Sequence, residues 1–113
     1  MVDDETVMIS DKEELRLAFM QEILGQELAF CHRVNKYHPR NYYQWTYRTR
    51  LIKEVLIPLF QKCPSFQETH LVNEVIEMRK YLKQEPKDQS ARHYLNEIKP
   101  FNTTIQAMID EIQ

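Results

Sequence analysis

The side chains best suited to chemistry crowd into one stretch of this sequence. Residues 28–53 hold six basic residues, Arg33, Lys36, Arg40, Arg48, Arg50 and Lys53, and no acid. Tyr37, Tyr42, Tyr43, Trp45 and Tyr47 are interleaved with them. Cations alternating with aromatic faces suit an anionic partner, since rings stack on nucleobases while guanidinium and ammonium groups meet phosphates. The rest of the chain is acidic: residues 1–27 carry a net −6 and residues 54–113 a net −2, for a formal total of −2. A protein that is not globally basic is a poor generic nucleic-acid binder, so the basic stretch reads at most as a local positive surface.

Other chemistries find less support. His32, His38, His70 and His93 are scattered, with no His-x-x-x-His spacing and no cysteine at ligand distance in the sequence. Cys31 and His32 are neighbours, which on a helix puts them on different faces. Cys31 and Cys63 are too few for a disulfide framework and read as reduced, buried thiols. The single glycine, Gly25, rules out a Gly-rich phosphate loop, a dinucleotide fingerprint and an EF-hand loop. No metal site, no bound cofactor and no catalysis by this chain alone are expected. The acidic start lacks the basic and apolar segments of a secretory leader, and no apolar run approaches the length of a membrane span, so a cytoplasmic location is expected.

The elements that must position these residues are helices throughout. Residues 1–9 read as an acidic tail. Ser10 and Glu13 have capping-box spacing, followed by apolar Leu15, Phe19, Ile23, Leu24, Leu28, Phe30, Cys31 and Val34 at helical intervals. Gly25 weakens that helix by roughly 1 kcal/mol, which a helix–helix contact or a break would each explain. Pro39 ends it, Asn41 is an N-cap with Gln44 as its reciprocal partner, and a second helix carries Trp45, Arg48, Ile52, Val55, Leu56, Leu59 and Phe60. Pro58 implies a kink or a frayed last turn. Ser65 and Glu68 repeat the capping spacing ahead of a stripe from Leu71 to Leu82. A fourth helix runs from Asp88 or Gln89 to Ile98, and a last one starts near Asn102 with Ile105, Met108, Ile109 and Ile112. That last stripe needs a surface, either Ile98 with the Leu71–Leu82 stripe or a partner.

The helices pair through tight turns, 10–61 as one unit and 65–98 as the next, with a terminal helix at 102–113. The reading is all-α: antiparallel helix-pair repeats stacked as a short right-handed α-solenoid of tetratricopeptide-like design. Physical roles follow for the turn. Pro39 sets its geometry and Asn41 caps the helix. Trp45 fills the space between paired helices while its ring nitrogen seeks a partner, and Arg48, one turn on, ties a neighbouring backbone or carboxylate.

The run His38-Pro39-Arg40-Asn41-Tyr42-Tyr43-Gln44-Trp45-Thr46-Tyr47-Arg48 resembles the repeat of protein prenyltransferase alpha subunits, in which a Pro-basic-Asn-Tyr turn is followed by Trp and then Arg. Residues 22–60 carry the resemblance. Residues 68–98 are degenerate, with Asp88, Arg92 and Leu95 in place of Asn41, Trp45 and Arg48, and only Tyr94 matching Tyr47. The resemblance marks Pro39, Asn41, Trp45 and Arg48 as repeat-defining. It implies that Arg40 meets a diphosphate leaving group, that Tyr42 or Tyr43 approaches the isoprenoid substrate, and that zinc belongs to a partner beta subunit and not to this chain. It also implies a small GTPase or other prenylated protein as substrate. Three function classes follow: a partial or accessory alpha subunit supporting isoprenoid transfer from its diphosphate to a protein cysteine; a non-catalytic helical-repeat protein-interaction module; and binding of nucleic acid or another anionic surface.

Overall fold

The computed structural model describes residues 11–38, 42–61 and 63–112. Its regular structure is entirely helical among these residues. Helix α1 is Asp11–Tyr37. Helix α2 covers 42–59 as an α-helical Tyr42–Arg50, a π-helical turn Leu51–Leu56 and a last turn Ile57–Leu59. Helix α3 is Pro64–Gln84, α4 is Gln89–Ile98 and α5 is Thr103–Ile112, with a 3-10 turn Lys99–Phe101 between the last two.

Local chemistry explains most boundaries. Asp11, Glu13 and Glu14 occupy the first turn of α1 and Lys36 its last, each favoured by the helix dipole. The helix passes through Gly25 unbroken, and no atom outside its own backbone lies within 4 Å of where a Cβ would sit. Neither explanation offered for that glycine, a break or a tight helix contact, is present. In α2 the amide of Ile57 bonds to the carbonyl of Ile52, five residues back. Pro58 follows directly. It has no N–H and its ring crowds the carbonyl of Glu54, so the widened π turn accommodates it where a kink or fraying was expected.

Helix α3 begins one residue before Ser65, with Pro64 in its first turn and no side-chain cap. The Ser65–Glu68 capping pair is therefore corrected: Glu68 instead accepts from Asn102 Nδ2 at 3.1 Å and Thr104 Oγ1 at 3.0 Å, tying α3 to the start of α5. Asp88 caps α4 as its position suggests, accepting from the Ala91 amide at 3.1 Å, and Asn102 caps α5 through the Ile105 amide at 3.0 Å.

Side-chain pairs give the helix directions. Asn35 meets Gln44 and Glu27 meets Tyr47, so α1 and α2 are antiparallel. Glu74 meets Tyr94 and Tyr81 meets Asp88, so α3 and α4 are antiparallel as well. Arg48 lies over Tyr94 while Lys53 pairs with Glu97, which makes α2 and α4 parallel neighbours. Helices α1, α3 and α5 form one row and α2 and α4 the other, α3 packing on α1, α4 and α5. The shortest principal extent, 19 Å, is two helix diameters of about 10 Å, as two rows require.

The core lies between the rows: Leu24, Leu28, Ile52, Leu56, Phe60, Leu71, Val75, Met78, Ala91, Tyr94, Leu95 and Ile98. Helix α5 folds back on α3 and buries Ile105 and Ile109 completely. The α1 stripe is split where the sequence offered one set of apolar positions. Leu24, Leu28 and Cys31 point inward, whereas Leu15, Phe19, Ile23 and Phe30 are exposed.

Candidate functional site

The repeat motif leads to a polar cluster inside the molecule. Arg48, from the middle of α2, is fully buried and ion-pairs through Nε with Glu74 Oε2 of α3 at 3.0 Å. Its Nη2 reaches His32 Nδ1 of α1 at 2.8 Å, and Nη1 donates to Met78 Sδ at 3.5 Å. The guanidinium lies 5.1 Å from the Trp45 ring centroid and 5.4 Å from that of Tyr94, so two aromatic faces sandwich a desolvated cation. Glu74 is completed by His32 Nε2 at 2.9 Å and by the Tyr94 hydroxyl, which donates at 2.5 Å. One carboxylate and one guanidinium thus bind α1, α2, α3 and α4 together.

The donor pattern sets the state of each member. Arg48 only donates, so His32 Nδ1 accepts and its Nε2 carries the hydrogen given to Glu74. Burial alone would raise the Glu74 carboxyl, but the Arg48 charge and the bonds from His32 and Tyr94 outweigh it and hold the group below its ordinary value. Tyr94 is pushed well above the usual phenol range, by burial first and then by the Glu74 charge. Burial also raises the Cys31 thiol, against a lesser opposing pull from Arg48. Both nitrogens of His32 are occupied and the neighbouring thiol is held protonated, so the cluster has neither an available base nor an activated nucleophile. Its chemistry is cohesion.

The motif residues therefore divide. Trp45 is buried against Tyr81 and Tyr94 at ring separations of 5.8 and 5.5 Å, and its indole nitrogen has no partner among the described residues. Arg48 ties a neighbouring carboxylate as its type suggested, and Trp45 fills space between helices but without the partner expected for its ring nitrogen. Pro39, Arg40 and Asn41 lie outside the described residues, as does the side chain of Tyr42. Tyr43 is 87% exposed on the outer side of α2. Sequence reasoning set His32 aside as one of four scattered histidines and gave Glu74 no role, although the two complete the cluster; a carboxylate inside the Leu71–Leu82 stripe was the available signal.

The basic stretch is dispersed in the fold, with Arg33 and Lys36 on the surface of α1 and Arg40 outside the described residues. Arg48 is internal, Arg50 pairs with Glu54 at 3.0 Å, and Lys53 pairs with Glu97 at 2.7 Å. Arg33 and Lys36 lie over the Phe30 and Tyr37 rings. Among the described residues no three His, Cys, Asp or Glu side chains come together as metal ligands, and no helix is long and apolar enough to cross a membrane.

Exposed apolar side chains gather on a different face. Among the described residues, seven of the ten exposed large hydrophobic side chains, Leu15, Phe19, Ile23, Phe30, Tyr37, Tyr43 and Tyr47, belong to α1 and the start of α2. Between the two helices runs an open groove of about 380 Å³, walled by Phe30, Val34, Tyr43 and Tyr47. At its edge Tyr47 donates to Glu27, a bond that pushes the phenol up to about 12. Comparison with protein-family models, with curated proteins and with solved structures finds no match for this chain.

Proposed function

We propose that this chain is a non-catalytic helical-repeat interaction module, a short right-handed solenoid of helix pairs that works in the cytoplasm by holding another protein against the outer face of α1 and α2. The concentration of exposed aromatic and aliphatic side chains on that one face carries the reading, because contiguous apolar surface on a folded chain marks a contact site. The internal use of Arg48 and Trp45 supports it: the residues with most chemical capacity are committed to packing. The test is quantitative capture from cells by the chain and by a Phe30→Asp, Tyr47→Asp double variant of unchanged helix content. A defined set of proteins, depleted for the variant, is the expected outcome; identical capture by both would sink the proposal.

The Pro39–Arg48 motif carries a second reading, an accessory alpha subunit that binds a prenyltransferase beta subunit, with Arg40 toward the diphosphate and Tyr42 or Tyr43 toward the isoprenoid. It expects a one-to-one complex in size-exclusion chromatography with light scattering when the chain meets a beta subunit. Arg40→Glu leaving both complex and turnover untouched counts against it.

A further inference from the structure

The outer face of α1 has a polarity of its own. At about 100° per residue, Leu15, Phe19, Ile23, Phe30 and Tyr37 fall within an arc of about 80°, opposite the buried Leu24, Leu28, Cys31 and Asn35. Along one edge of that arc run Asp11 and Glu22, then Arg33 and Lys36: acids in the first half of the helix, bases in the second. Among the described residues none of these four is in an ion pair, whereas six ion pairs form elsewhere. The two cations lie beside exposed aromatics of the same face, 5.9 Å from the Phe30 centroid and 5.6 Å from that of Tyr37.

Building on the interaction-module reading, we infer that this face pairs with a second copy of the chain, α1 against α1 and antiparallel, about a twofold axis near Gln26–Glu27. In an antiparallel pair like edges face each other, so the acidic half of each helix lies over the basic half of its mate. The register that sets Ile23 opposite Phe30 also sets Phe19 opposite Val34, brings Leu15 beside Tyr37, and leaves Glu22 within one turn of Arg33. Apolar positions thus meet apolar ones on either side of Gln26, over a strip from Leu15 to Tyr37 that at about 1.5 Å per residue is about 33 Å long. In a parallel pair this edge would face the opposite edge of the mate, so Glu22 and Arg33 would not meet.

Sedimentation equilibrium of the full chain in low salt tests this. The mass is expected to rise with concentration from 13.7 kDa toward twice that value, and Phe19→Asp with Phe30→Asp is expected to hold it at one chain. Glu22→Arg alone and Arg33→Glu alone each weaken the pair about tenfold, and the two combined in one chain restore it. All four positions are on the exposed arc, so unchanged helix content by circular dichroism separates lost pairing from lost folding. A single-chain mass at high micromolar concentration overturns the inference. So does a pair indifferent to Phe19 and Phe30, or a charge swap that fails to restore it. A chain that stays single yet captures another protein through this face overturns self-pairing and leaves the interaction-module reading standing.

Discussion

Arg48 and Glu74 show how far one buried ion pair can organise a small helical protein. Removing either partner leaves the other charged and out of water, a loss of about 3–5 kcal/mol, a large share of the stability typical of one domain. Arg48→Met and Glu74→Gln should each lower the urea midpoint by that equivalent. Arg48→Met with Glu74→Leu should be much milder, since no orphaned charge remains. The pair also sets a pH dependence. Because the folded carboxyl is held below its ordinary 4.5, its stabilisation is fully present above that value and is lost as pH falls through the lower folded value. Acid titration of unfolding should therefore show a steep loss below about pH 4.5 that Glu74→Gln flattens. Equal steepness in both proteins would mean that Glu74 is not held ionised.

At the scale of the helix, α1 carries a residue its surroundings do not use. Gly25 lies in unbroken helix with open space where a Cβ would go, so its only effect there is the backbone entropy lost on folding. Gly25→Ala should stabilise the chain by about 0.5–1 kcal/mol, read as a raised thermal midpoint with unchanged helix content. A loss of stability would reveal a contact that glycine alone permits. Helix α2 shows the opposite case, a proline inside an apolar helical pattern. The pattern around Pro58 is helical because Leu51, Ile52, Leu56 and Phe60 must reach the core, and the π turn lets them do so around a residue that cannot donate.

Across the whole molecule, cohesion is uneven. Residues 11–23 of α1 contain no buried side chain, whereas α4 buries Ala91, Tyr94, Leu95 and Ile98 in ten residues. Local opening follows buried contact, so in dilute solution the amides of 11–23 should exchange with deuterium well before those of α4. Uniform protection of both would mean that the first half of α1 is already covered. The end of the chain behaves differently, because Ile105 and Ile109 close the row of α1, α3 and α5 against α3.

The sequence by itself determined the helical class, the five helices and most of their ends, because period, proline and capping residues act within a turn or two of chain. It also carried the internal roles of Trp45 and Arg48, since the motif's spacing puts them one turn apart on one face. Tertiary structure decided what local spacing cannot contain. Glu74 and His32 become partners of Arg48 only when α1 and α3 meet across α2, over sequence separations of 26 and 16 residues. Leu15, Phe19, Ile23 and Phe30 have the same apolar chemistry and helical spacing as Leu24 and Leu28. Which set is buried depends on which face of α1 the other helices cover, and packing leaves the first set to solvent.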